Sequence, residues 1–139
     1  MTRSDPMHPK LAEGELRALS NLALAHMGDA VYELLVRTWL CTHGRMTSRG
    51  LHRETVGFVS APAQARAAEK ILPLLSEDEL QVYRRGRNAK VNSVPQHADA
   101  AEYHAATGLE CLFGWLYLSG AQARITELFN RIMEEEDAS

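Results

Sequence analysis

The sequence predicts an all-α protein, a helical bundle of about six helices. Three observations lead there. Apolar residues recur three and four positions apart through most of the chain, the spacing of one face of a helix. No run alternates convincingly at period two, so no strand is expected. Serine, proline and glycine fall between the periodic stretches, where helices start and stop.

The elements follow in order. Residues 1–10 are polar, carry Pro6 and Pro9, and are expected to be loosely ordered. A short, weak helix is expected from Leu11 to Leu19. The stretch LALAHMGDAVYELLVRTWLCT, from about Leu22 to Thr42, is apolar around much of its circumference and reads as a central helix that stops at Gly44. A further helix spans Ser48 to Val59, with Ser48 as its N-cap. Ser60-Ala61-Pro62 restarts the chain, and proline is tolerated in a first turn, so the next helix covers Pro62 to Leu72. Pro73 ends it. Ser76 and Glu79 form a capping box for a helix reaching about Arg87. Asn88 to Gln96 reads as a loop. A second long helix runs from about Ala98 to Leu118 and ends at Ser119-Gly120. The last helix spans Ala121 to Glu136, and the acidic run Glu134 to Asp137 reads as a solvated tail. Trp39 and Trp115 are expected in the core. Residues 1–139 are read as one domain.

Composition is that of an ordinary soluble globular chain: 45% apolar, 24% charged, net charge −3. Such a charge does not announce nucleic-acid binding, and leaves room for a local basic patch. Cys41 and Cys111 both lie in apolar helical stretches and form no disulfide framework, which fits a reducing, cytoplasmic setting. No targeting segment is visible at the N-terminus. The longest apolar stretches are interrupted by Asp29, Glu33 and Arg37, or by Glu110, so no membrane span is expected.

Asp29 lies in the middle of the most apolar helix, where a carboxylate is costly unless paired, hydrogen-bonded or bound to a cation. It is read as an acid at the solvent edge of the helix, as one paired with Arg37, or as a cation ligand. Gly28 beside it asks for a reason such as close approach of another backbone. Glu110 has the same setting, with Gly108 and Gly114 nearby. Asp99, Tyr103, Thr107 and Glu110 fall four, four and three apart, on one helix face. That face is either a polar outer stripe or the wall of a site. If the two long helices cross at their glycines, Asp29 and Glu110 meet. Their repulsion is then removed by a divalent cation, and all-oxygen ligands favour Mg²⁺ or Mn²⁺. Such a centre suits phosphodiester hydrolysis. Arg84, Arg85, Arg87 and Lys90, with Asn88 among them, form a basic cluster at a helix end. They either answer the helix dipole or grip phosphate.

These residues resemble a known family. LALAHMGDAVYELLVR resembles the signature helix of the ribonuclease III catalytic domain, and ATGLECLFGWLYL its second acidic helix. RRGRNAK, lying between them, resembles the Mini-ribonuclease III branch, which has no separate double-stranded-RNA-binding domain. The resemblance covers roughly residues 20–130. It implies an all-α homodimer that cuts double-stranded RNA with Mg²⁺ to leave 5′-phosphate ends, and a role in maturing the 23S ribosomal RNA precursor. It implies that Asp29 and Glu110 are the catalytic metal ligands. Two further acids usual in ribonuclease III enzymes are replaced here by Ala25 and Thr107. The alternative reading is a non-catalytic RNA-binding or ribosome-assembly module on the same fold. Apolar residues between Val59 and Ala68 are candidates for the subunit contact.

Overall fold

The computed structural model describes residues 5–44, 48–89 and 99–138. Among them lie seven α-helices, one 3-10 turn and no strand: α1 (Glu13–Ala18), α2 (Asn21–Thr42), α3 (Ser48–Val59), α4 (Ala61–Ile71), the turn Leu72–Leu74, α5 (Glu77–Arg87), α6 (Ala100–Leu118) and α7 (Gln122–Ala138). None of these helices is long and apolar enough to cross a membrane.

The boundaries are set by local chemistry. The Ser20 hydroxyl accepts from the Ala23 N–H at 3.0 Å and starts α2. Gly44, at φ +64°, stands just past its end. Ser60 caps α4, with Pro62 in the first turn. At α5 the Ser76 N–H donates to Glu79 at 2.8 Å, and the Glu79 N–H donates back to the Ser76 hydroxyl at 3.2 Å. Two expectations are corrected. Ser48 is the first helical residue of α3, not its cap, and the residues before it lie outside the described residues. The last helix ends later than expected: α7 continues past Glu136 to Ala138, so the whole acidic run is helical, and the exposed Glu134 pairs with Arg131 at 2.9 Å.

α2 and α6 form the centre of the bundle and share its most extensive helix contact, with α4 and α5 packed on α6. Tyr32 of α2 meets Phe113 of α6 and Phe129 of α7 edge-on, at 5.4 and 5.8 Å between ring centres. Val36, Leu40, Leu109, Leu112 and Leu128 are fully buried around them. Trp39 is buried, whereas Trp115 is half-buried at the edge of the core. Of the two thiols only Cys111 is buried. Cys41 is exposed, because it lies with Arg37 and Thr38 on the outer face of α2. Ala67 and Ala68 belong to the core, which removes them from any subunit contact.

One ion pair ties α7 to α5. Glu79 is only 6% exposed. Arg124 donates to both of its carboxylate oxygens at 2.8 Å and to the Leu74 carbonyl at 2.8 Å. The guanidinium holds the Glu79 carboxyl below the usual carboxylate range, so this stabilisation is present at neutral pH and is lost as acid protonates Glu79. Arg124→Met leaves that carboxylate buried and unpaired, and is expected to destabilise the fold by about 3 kcal/mol in urea unfolding. The double variant with Glu79→Met should recover most of the loss, and an Arg124→Met protein as stable as wild type would refute the coupling.

Candidate active site

Whether the two isolated acids meet depends on how α2 and α6 cross. They cross at glycines. A Cβ placed on Gly28 would lie 1.6 Å from the Glu110 carbonyl oxygen, and one on Gly114 would lie 2.1 Å from the Leu24 carbonyl oxygen and 3.0 Å from the Gly28 nitrogen. Only bare backbone permits this approach. Asp29 follows Gly28 directly, and Glu110 precedes Gly114 by one turn, so the crossing carries both acids to one place.

Their electrostatics show the encounter. Burial first, and then the charge and hydrogen bonding of Asp29, push the Glu110 carboxyl up to about 8. Gln64 of α4 opposes this by favouring the ionised form. Asp29 itself stands exposed at the mouth of the pair. Arg37, the partner considered for Asp29, pairs instead with Glu33 at 2.9 Å. The pairing of Asp29 with Arg37 therefore does not hold, whereas its place at the solvent edge of the helix does.

The basic cluster is brought to the same stretch of α6. Gly86 is buried, and a Cβ there would lie 2.7 Å from Cys111 Sγ and 3.0 Å from Gly108 Cα. Gly108 in turn has no room for a side chain beside Tyr83. This contact seats the end of α5 on the turn of α6 that carries Glu110. Arg84, Arg85, Arg87 and Asn88 are all exposed there. Cys111 registers both neighbours: burial and the Glu110 charge push its thiol up to about 11, while Arg85 acts in the opposite sense. Arg87 lies over the Tyr83 ring at 5.9 Å and donates to the Asn88 side chain at 3.3 Å. Lys90 lies outside the described residues.

The proposed wall is reduced. α6 begins at Ala100, and Asp99 is its N-cap: the carboxylate accepts from the Ala101 and Glu102 N–H groups at 2.8 and 3.3 Å. Asp99 stands at the start of the helix one turn before Tyr103, whose N–H donates to the Asp99 carbonyl at 2.9 Å, and its carboxylate is engaged in capping. The Thr107 hydroxyl donates to the Tyr103 carbonyl at 3.0 Å and is occupied by its own helix. Tyr103 is half-buried beside His104. Sequence reasoning missed Gln64. A signal existed, since Gln64, Ala67, Ala68 and Ile71 share the buried face of α4 and only Gln64 is polar.

Two facing carboxylates, one desolvated, match a hard cation with oxygen ligands. Among the described residues no group of three or more His, Cys, Asp or Glu side chains converges, so those residues offer two acids at this place. That number suits Mg²⁺, which commonly keeps several waters and takes one or two carboxylates together with substrate phosphate.

Comparison with known proteins decides the family. Residues 22–121 match the ribonuclease III domain. A Mini-ribonuclease 3 from Symbiobacterium thermophilum is 46% identical over 110 residues, 79% of this chain and 85% of its own. One from a Thermoanaerobacter species is 45% identical over 126 residues, 88% of each chain. A crystal structure of a Fusobacterium nucleatum protein superposes with a TM-score of 0.78 at 29% identity, covering 85% of this chain and 96% of that one.

The chain belongs to the Mini-ribonuclease 3 branch of the ribonuclease III family. It is a metal-dependent endoribonuclease, which sets aside the non-catalytic alternative. Within this Mini-ribonuclease 3 fold, the matched region contains the whole α2–α6 crossing together with the basic end of α5.

Proposed function

We propose that this Mini-ribonuclease 3 hydrolyses phosphodiester bonds of double-stranded RNA with Mg²⁺, or Mn²⁺ in its place, leaving 5′-phosphate ends. Asp29 and Glu110 are its catalytic metal ligands. The observation that carries this reading is the meeting of Asp29 and Glu110 at the Gly28–Gly114 crossing. A bound Mg²⁺ would supply an activated water and neutralise charge on the scissile phosphate. Asp29 and Glu110 fix its position from two rigid helices. Arg84, Arg85, Arg87, Asn88 and Lys90 hold the duplex through phosphates, as A-form RNA is held by shape and backbone rather than base edges. Asp29 and Glu110 would hold one cation in the free protein, and substrate phosphate would help recruit a second.

Residues 1–139 form one catalytic domain working as a homodimer in the cytoplasm, each subunit cutting one strand, with the 23S ribosomal RNA precursor as substrate. The deciding experiment compares wild type with Asp29→Asn on a long perfect duplex, with Mg²⁺ and with chelator. Cleavage by wild type alone, abolished by chelator, is expected. Equal cleavage by Asp29→Asn would refute the assignment of Asp29.

The grip predicts its own outcome. Replacing both Arg85 and Arg87 by Glu should weaken duplex binding whatever its sequence, and lower the slope of log affinity against log salt by about 2, one for each phosphate no longer neutralised. Filter binding across a salt series measures this, and an unchanged slope would mean that the arginines serve only the helix end.

A further inference from the structure

A groove runs between α1 and α5 and encloses about 490 Å³. That is within the range of about 300–1,000 Å³ usual for small-ligand sites. Its floor is apolar. Leu24 of α2 and Val82 of α5 are buried there, and Trp115 of α6 is half-buried, so the part of the indole not packed on the core borders the groove. The walls are polar. Glu13 and Arg17 of α1 pair with each other one turn apart, so their charges cancel. Asp78, Gln81 and Arg85 of α5 fall three and four residues apart, on one face of the helix. Asp78 and Arg85 are thereby separated by about 10 Å along its axis. Both are exposed, and neither is engaged in an ion pair among the described residues. The groove thus has a carboxylate at one end, a guanidinium at the other and an aromatic side chain in its floor.

That order matches one nucleotide. A guanidinium forks onto phosphate. A base packs on an aromatic side chain whatever its identity. Ribose hydroxyls and the amino groups of bases donate to a carboxylate. The groove also opens off the duplex grip, because Arg85 is a member of the basic cluster at the end of α5. A paired base stays stacked in its helix, whereas an unpaired one can be splayed out onto a side chain. We propose that the α1–α5 groove binds an unpaired nucleotide of the RNA, with its phosphate on Arg85 and its base against Trp115. The inference rests on the duplex grip proposed above and adds to it a place for single-stranded RNA flanking the duplex.

The test compares a blunt duplex with the same duplex carrying a short adenosine extension, at the 5′ or the 3′ end in separate molecules. Binding is measured with chelator present, so that nothing is cleaved. One of the two extensions is expected to tighten binding to wild type by about 10-fold, the order that a single base on an aromatic side chain contributes. Trp115→Leu should lose that advantage and bind the blunt duplex as wild type does. Equal binding of blunt and extended duplexes by wild type would overturn the proposal, as would an advantage that survives in Trp115→Leu. Should Trp115→Leu fail to fold, the tryptophan emission of wild type decides, with the buried Trp39 as a constant background. It is expected to be quenched by the extended duplex and not by the blunt one, and equal quenching by both overturns the assignment. Adenosine monophosphate that abolishes the advantage at equimolar concentration would make the occupant a free nucleotide, and overturns the assignment to RNA. A wild type that binds neither duplex refutes the grip itself, whereas one that binds both equally refutes only the groove.

Discussion

Glu110→Gln is expected to lower cleavage of duplex RNA by about 10³-fold or more while leaving the metal-free protein at least as stable as wild type. The loss follows from removing one of two carboxylates that hold the cation. Charge stabilisation by a catalytic metal contributes several kcal/mol, and each 1.4 kcal/mol is about a factor of ten in rate. The stability follows from the facing acids. Glu110, at about 8 in the fold against an ordinary value of 4.5, binds its proton more tightly when folded than when unfolded. Across that window the unfolded chain holds fewer protons, so metal-free wild type loses stability as pH rises from about 4.5 to about 8. Glutamine has no proton to lose, so Glu110→Gln should show a flatter profile. Thermal melts in chelator across this pH range, paired with single-turnover cleavage in Mg²⁺, measure both effects. Wild-type activity in Glu110→Gln would remove Glu110 from the mechanism, and gross unfolding would make it a structural residue.

Gly28→Ala is expected to be among the most destabilising single substitutions in the chain, even though alanine is the better helix former by about 1 kcal/mol. The added Cβ would lie 1.6 Å from the Glu110 carbonyl oxygen. No rotamer relieves a clash between a Cβ and a backbone, so α2 and α6 must separate along the main contact of the bundle. Overpacking of flexible side chains already costs about 1–3 kcal/mol, and a backbone clash stands at or above the top of that range. The steric penalty therefore outweighs the propensity gain. Gly57→Ala on α3 is the control, because a Cβ there meets nothing within 4 Å, and it should stabilise by up to about 1 kcal/mol. Urea unfolding of the two variants gives the comparison. Equal stabilities would show that the glycines do not set the crossing.

Much of the site is legible in the amino-acid sequence. Asp29 and Glu110 are conspicuous because each is an acid in an apolar helix, and Gly28 and Gly114 because each weakens the helix that carries it. Spacing alone does not reveal that Asp99 is the N-cap of α6, because helix boundaries shift by a residue or two and depend on local hydrogen bonding. Gln64 escapes notice because a glutamine among alanines is an ordinary feature of a surface helix until the burial of α4 is known.

The sequence alone determined the helices, through their periodicity, their serine caps and the capping box of α5, since these depend on residues within a turn of one another. It also determined the family, through two acidic helices and a basic stretch in a fixed order. Only the tertiary structure decided which faces are buried and which groups meet: Asp29 against Glu110 at a glycine crossing, Arg124 across to Glu79, and Gln64 on the buried face of α4. The physical reason is range. Backbone hydrogen bonding and capping act between neighbours in the chain, whereas desolvation and Coulomb forces depend on distances that exist only once the helices have packed.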